Sequence, residues 1–499
     1  MLARPANPQP LSLAAALAPV ATLIGLLGLS FHLFGADAAA GPNQVGLVFC
    51  SIVAAWVAWQ NGHSIADLRD AGVASVTTGV SAIFILLAVG ALIGTWALSG
   101  TLMAMVYYGL KLLDPDYFYL TSCALCAVVA LSIGSSWTVA GTIGIGLIGV
   151  AQKMGLDPAL TAGAIISGAY FGDKSSPLSD TANLACAAAG SNLYDHIRES
   201  LWTSAPAIGL ALLAFWWLGS PGDFDASAVL ASIEAGFRPS LVHFLPLVLV
   251  LALALLRWPP FVTIFLGALA GGALAVLVAP DRVAALAGPG LPAVLAHLKG
   301  VWIALATGHV STTGEPAFDL LLSRGGMASM LGTIWLILAA LAFGGIVEKA
   351  GVLDRLIGPL IAAARSVGAL VSTLVGAAIT TNVLASDQYI AVVLPGRMFR
   401  GAFARMGLAP VTLSRALGDS GTVTSPLIPW NSCGAYMAAT LGVATTAYLP
   451  FAFFNLLNPL VAIAFGFLGL RVLRAATAAP ESDAAGRTVD QPPRKEPSP

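Results

Sequence analysis

Residues 172–183 read GDKSSPLSDTAN, and residues 418–431 read GDSGTVTSPLIPWN. Each string sets carboxylate, hydroxyl and amide side chains, with a helix-breaking proline, inside strongly apolar sequence. An ionisable side chain at the bilayer centre costs about 2.5–3.5 kcal/mol even on the lenient insertion scale, so in a spanning segment it points to an ion or proton pathway. The surrounding chain has a membrane composition. Of its 499 residues 58% are hydrophobic and 9% charged, against about 25% charged in soluble domains. A net charge of −1 and the lack of a long basic run exclude nucleic acid as a partner.

A spanning helix needs about 20 mostly apolar residues. Leu11–Phe34 and Pro42–Gln60 qualify, and a polar loop covers Asn61–Asp70. A long tract from Gly72 to Leu113 is expected to break near Gly94–Gly100, and Tyr117–Leu131 is a further helix. Trp56, Trp59, Trp216, Trp217 and Trp258 near the ends of apolar runs read as interface anchors. Ser132–Thr142, SIGSSWTVAGT, then concentrates small polar residues where a helix should continue. Irregular backbone at membrane depth survives only where protein or a wet cavity satisfies it, so Ser132–Lys153 reads as the tip and return arm of a re-entrant hairpin. Pro158–Ala189 reads as one helix broken at Asp173–Asn183.

The later chain repeats this grammar. Leu356–Ala378 leads to a polar tip, TTNVLASDQY at 380–389, and a charged loop, Arg397–Arg405, follows. Met406-Gly407-Leu408 and Pro410 restate Met154-Gly155-Leu156 and Pro158, and Ser-Pro-Leu recurs at 176 and 425. The fold expected is an all-α polytopic membrane protein of about 10–13 transmembrane helices in two inverted repeats, with re-entrant hairpins and broken helices. The first repeat covers 1–220, a solvated linker 221–240, the second repeat 241–474, and a disordered polar tail 475–499.

Transporters built from inverted repeats bind substrate and coupling ions where discontinuous helices break. The candidate ion- or proton-binding residues are therefore Asp173, Asp180, Asn183, Asp387, Asp419 and Asn431. Ser176, Thr181, Thr424 and Ser425 would add neutral oxygens, which suit an exchangeable Na⁺. Three of the carboxylates have a plainer alternative. Asp173 could pair with Lys174 or cap the next half-helix, Asp387 could pair with Arg397, and Asp419 could be a cap. Cys123 and Cys126 form a CxxC on an apolar helix, where packing is a better reading than chemistry. His196 could sense pH or serve as a cap or interface residue.

The strings GSSWTVAGTIGIGLIGVAQKMG, SGAYFGDKSSPLSDTANLA, TNVLASDQYIAVVLPGRMF and GDSGTVTSPLIPWNSCGAYMAATLGV resemble the NhaC family of bacterial Na⁺/H⁺ antiporters across both halves, roughly Gly72 to Pro459. The resemblance implies a multi-pass secondary antiporter of the bacterial inner membrane, related to the ion transporter superfamily. Its ion-binding region would fall on Ser136, Thr138, Asp173, Ser176, Asp180 and Asn183, and on Asn382, Asp387, Asp419, Ser425 and Asn431.

The expected activity is exchange of Na⁺ for H⁺ by alternating access, with Na⁺ at those carboxylates and no cofactor or structural metal. The alternative is a Na⁺/H⁺-coupled exchanger of organic anions, of the malate/lactate type, or of amino acids, with Lys174 as the spare cation. Besides Na⁺, H⁺ and the bilayer, the partners this leaves open are a small organic anion and a second copy in a homodimer. No GxxxxGK[ST] loop supports a pump, and no HExxH or GxSxG supports an enzyme.

Overall fold

A computed structural model describes residues 10–219, 227–310, 323 and 325–474. Among these residues there is no β-strand, and helix follows helix. Eight described helices are long and apolar enough to cross a membrane, or nine if Thr445–Phe451 and Phe453–Leu468, bent by 55°, make one span. The count is lower than the sequence suggested because several apolar segments are short or interrupted. Leu241–Leu255 and Ala293–Thr307 are of this kind.

Local boundaries differ from the expectation where capping chemistry overrides composition. The polar stretch after Gln60 is not all loop: Ser64 accepts from the Asp67 amide at 2.9 Å and starts a helix over Ile65–Thr78. The tract after it breaks at Gly79 and Gly100, giving Val80–Ser99 and Thr101–Leu112. Leu356–Ala378 divides into Val352–Ala363 and Val367–Leu384. Arg397–Arg405 is helical rather than a loop, being the end of Gln388–Arg405. The expected linker contains a helix, Ser227–Phe237, whose Glu234 accepts from the Tyr107 hydroxyl and lies 3.6 Å from Lys111. Residues 221–226 of that linker and the tail 475–499 lie outside the described residues.

Each half contains a helical hairpin followed by a broken helix. In the first, Phe118–Ile133 meets a tip at Gly134 and Ser135, and the chain returns through Ser136–Val139, a π-helical turn over Ala140–Gly144, and Ile145–Lys153. The non-helical backbone is thus confined to the tip, with one π-helical turn in the return arm. Pro158–Ser175 follows, and after a four-residue break comes Asp180–Ala189. In the second, Val367–Leu384 and Gln388–Arg405 form the hairpin. Pro410–Leu417, a π-helical turn over Gly418–Thr422, the short turn Ser425–Leu427 and Ser432–Leu441 form the broken helix.

The two halves keep one register. Left-handed residues occur at the hairpin tips Gly134 and Ser386, at the turns Gly155 and Gly407, and at the helix ends Gly190 and Gly442. Each pair is 252 positions apart (386 − 134, 407 − 155, 442 − 190). The half-helix N-caps Ser179 and Asn431 keep the same offset (431 − 179). The Ser-Pro-Leu strings do not, lying 249 apart (425 − 176). In the first half that string begins the break, whereas in the second it is a turn before the break.

Close helix contact holds the first broken helix in place. Gly168 and Gly172 face Phe118–Ile133, where a Cβ would lie 2.1 Å from the Cys123 carbonyl oxygen and 2.5 Å from that of Ala127. Only glycine permits this approach, as in the small-xxx-small contacts of membrane helices. Cys123 and Cys126 are buried free thiols on this hairpin arm.

Candidate functional site

The first half builds its site by stopping a helix beside a hairpin tip. Pro158–Ser175 ends at Ser176, whose backbone is extended, and the chain resumes helix only when Ser179 caps Asp180–Ala189 by accepting from the Ala182 amide at 3.3 Å. Asp173, in the last turn, is 6% exposed and has three donors. The Ser136 amide and hydroxyl donate to Oδ2 at 3.1 and 2.6 Å, and the Ser179 hydroxyl donates to Oδ1 at 2.6 Å. Its carboxylate therefore sits at the N-terminus of the returning hairpin arm, where the helix dipole favours negative charge. A Cβ at Gly134 would lie 2.6 Å from the Leu178 carbonyl carbon, so tip and break are in backbone contact.

The second half places its charge on the hairpin itself. Asp387 is 3% exposed and caps Gln388–Arg405, accepting from the amides of Tyr389 and Ile390 at 2.8 and 3.0 Å. It is a cap, and no ion pair links it to Arg397 among the described residues. The preceding Ser386 holds φ +59°, and its carbonyl accepts from the Ser432 amide at 2.9 Å, tying this tip to the second break. Gln388 accepts from the Ser425 hydroxyl at 2.9 Å and from the Cys433 thiol at 2.7 Å.

Between these tips lies a cavity of about 470 Å³. Of the residues singled out in the sequence, Ser136, Thr138, Asp173, Asp180, Thr181, Asn183 and Asp387 line it. Three carboxylates from both halves thus face one space. Asp173 and Asp387 are buried and already hydrogen-bonded, whereas Asp180 is exposed to the cavity. Hydroxyls of Ser135, Ser136, Thr138 and Ser432 stand among them. Carboxylates beside neutral oxygens can hold a monovalent cation or, one at a time, a proton.

The other candidates lie outside the cavity lining. Asn382 donates to the Gly421 carbonyl at 2.8 Å and to Thr424 at 3.0 Å, and Asn431 donates to the Asn382 side chain at 3.1 Å. This amide network joins the second hairpin to the second broken helix. Ser176 accepts from the Leu178 amide at 3.2 Å within its own turn, and Ser425 serves Gln388. Asp419 does not join the other carboxylates. It forms a fully buried ion pair with Lys174, so Lys174 pairs with neither Asp173 nor a cavity ligand. His196 is buried against the Ser414 hydroxyl at 3.1 Å.

Several lining residues were not singled out in the sequence. Gln388 and Tyr389 follow Asp387 and already stand in its string at 380–389, where the carboxylate alone drew the reading. Trp258, read in the sequence as an interface anchor, and Arg257 belong to a turn after Leu245–Leu255, and nothing in that apolar neighbourhood announces a place on the cavity wall. Tyr436 of the second half stacks on Trp137 of the first, with ring centroids 3.9 Å apart, and donates to the Trp137 carbonyl at 2.7 Å.

Residues 168–470 match the family described as the Na⁺/H⁺ antiporter family. Among curated proteins, the chain is 36% identical to the "Na(+)/H(+) antiporter NhaC" of Alkalihalophilus pseudofirmus, over 86% of this chain and 91% of that protein. It is 34% identical to the "Arginine/ornithine antiporter ArcD" of Halobacterium salinarum, over 92% of each. With the "Malate-2H(+)/Na(+)-lactate antiporter" of Bacillus subtilis it shares 33% identity, over 86% of this chain and 90% of that protein.

Proposed function

The chain belongs to the Na⁺/H⁺ antiporter family, and from that premise we propose that it exchanges Na⁺ for H⁺ across the bacterial inner membrane. The observation that carries the reading is one cavity onto which Asp173, Asp180 and Asp387 all open. Na⁺ and protons compete for these carboxylates, so a site loaded with one releases the other. That competition couples the two gradients when the cavity opens alternately to each side. Asp180, exposed to the cavity, meets the arriving cation first. Asp173 and Asp387 complete the coordination with Ser136, Thr138, Thr181 and Asn183. Asp419, Asn431, Asn382, Thr424, Ser425 and Ser176 support the two breaks. Residues 1–220 and 241–474 act as inverted repeats, a reading supported by the constant offset of their left-handed residues and caps.

A second reading is favoured by Arg257 on the cavity wall and by a volume within the range of small-molecule sites, about 300–1,000 Å³. Here a small organic anion or amino acid travels with the ions, its carboxylate held by Arg257 rather than by Lys174. Both readings are tested in proteoliposomes carrying a pH-sensitive dye. Added Na⁺ should dissipate an imposed ΔpH, and Asp180→Asn should abolish this while the protein stays folded. Unchanged exchange in that variant removes Asp180 from the mechanism. Dependence of the signal on malate, lactate or an amino acid selects the second reading.

A further inference from the structure

Lys174 and Asp419 form an ion pair at 1% and 0% side-chain exposure, within hydrogen-bonding reach of three residues from two other elements. Lys174 donates to the Ser204 hydroxyl at 2.6 Å. The same oxygen of Asp419 that takes the lysine also accepts from Thr203 at 2.9 Å and from Asn458 at 2.9 Å. Four helical segments therefore converge on one pair: the first broken helix, the π-helical turn of the second, Leu193–Trp217 and Phe453–Leu468. A buried ion pair is weak evidence for stability, because apolar residues of similar shape often do as well. What it supplies is a fixed geometry. Irregular π turns inside helices recur at functional sites, and Asp419 sits in one.

We propose that the Lys174–Asp419 pair is a positioning element for the cavity, fixing how the first broken helix ends and so where Asp173 points. The proposal rests on the reading that the cavity handles Na⁺. Asp173 and Lys174 are consecutive in a helix, where neighbouring side chains diverge by about 100°. Asp173 thus reaches the hairpin tip of its own half while Lys174 reaches the other half. Any rotation of the helix end that moved the carboxylate from Ser136 and Ser179 would also pull the ammonium from Asp419. The lysine stem passes over Gly418, where a Cβ would lie 3.3 Å from its Cε, so the glycine gives the ammonium its path to the neighbouring Asp419. The second half, which supplies Asp387 to the cavity, thereby also sets the aim of Asp173.

The test measures KM for Na⁺ and for Li⁺, together with maximal rates, in the same proteoliposomes. Lys174→Met should raise KM for Na⁺ about tenfold and change the Li⁺/Na⁺ ratio, as expected when a ligand is displaced by a fraction of an ångström. Asp419→Asn keeps a hydrogen-bond partner and should fall between Lys174→Met and the wild type. The exchanged double variant, Lys174→Asp with Asp419→Lys, should bring KM back toward the wild type beyond additivity. If Lys174→Met does not fold, Lys174→Arg carries the test, since it keeps the charge but not the geometry and should still alter the ion ratio. Folded variants with unchanged KM and ion ratio, or with only lower thermal stability, overturn the proposal. A wild-type protein that fails to dissipate ΔpH on adding Na⁺ overturns instead the reading of the cavity.

Discussion

One pair of positions touches in both halves of the molecule, with different chemistry. Ser136 donates to Asp173 at 2.6 Å, and 252 positions later (388 − 136, 425 − 173) Ser425 donates to Gln388 at 2.9 Å. The cap at each hairpin tip differs too: Ser135 in the first half, Asp387 in the second, again at the same offset (387 − 135). Serine and aspartate have exchanged places. The first half has serine on the hairpin and aspartate on the broken helix, and the second half has the reverse. Each half thus brings one buried carboxylate to the cavity, but from opposite elements, so the two charges approach it on different supports. The fold asks only for a polar contact between tip and break, and the carboxylates go beyond that demand.

The largest effect expected from this comparison is at Asp173. Asp173→Asn keeps the contacts of an amide-sized side chain but loses the charge, and exchange should fall by about 10²-fold or more. Ser425→Ala at the equivalent position should lower it no more than about fivefold, since only a neutral hydrogen bond goes. Equal losses in the two variants, by Na⁺-driven proton flux, would break the distinction between the halves. Next come the tips. Gly134→Ala puts a side chain at φ +77° and a Cβ 2.6 Å from the Leu178 backbone, so the apparent unfolding temperature and folded yield should drop clearly. Asn431→Ala removes the cap of Ser432–Leu441 and the bond to Asn382, at about 1–2 kcal/mol, visible as a lower thermal midpoint. The smallest effect is the opposite of Gly134→Ala. Ser386→Gly relieves a strained φ of +59° and should raise stability by no more than about 1 kcal/mol.

The hairpins and broken helices were legible in the sequence because polar residues interrupt apolar tracts at matching places. Asp173, Asp180 and Asp387 could be singled out for the same reason: a carboxylate is too costly in such a tract to persist there without a task. The register was less legible. Matching Ser-Pro-Leu to Ser-Pro-Leu misaligns the breaks by three residues, because the first string opens a break and the second precedes one. Identical words sit in different backbone. Asp419 could not be separated from the cavity carboxylates by pattern, since its distinguishing feature is Lys174, 245 residues away in sequence. Arg257 escaped notice because its role depends on where the turn after Leu245–Leu255 packs, not on its own neighbours.

The stack of Tyr436 on Trp137 makes each half depend on the other. It joins the first hairpin to the second broken helix, and the cavity beside it takes one buried carboxylate from each half. Neither half by itself holds more than one hairpin, one broken helix and part of the cavity lining. The serine and aspartate that trade places between the halves show that the two sides of the cavity need not be chemically alike.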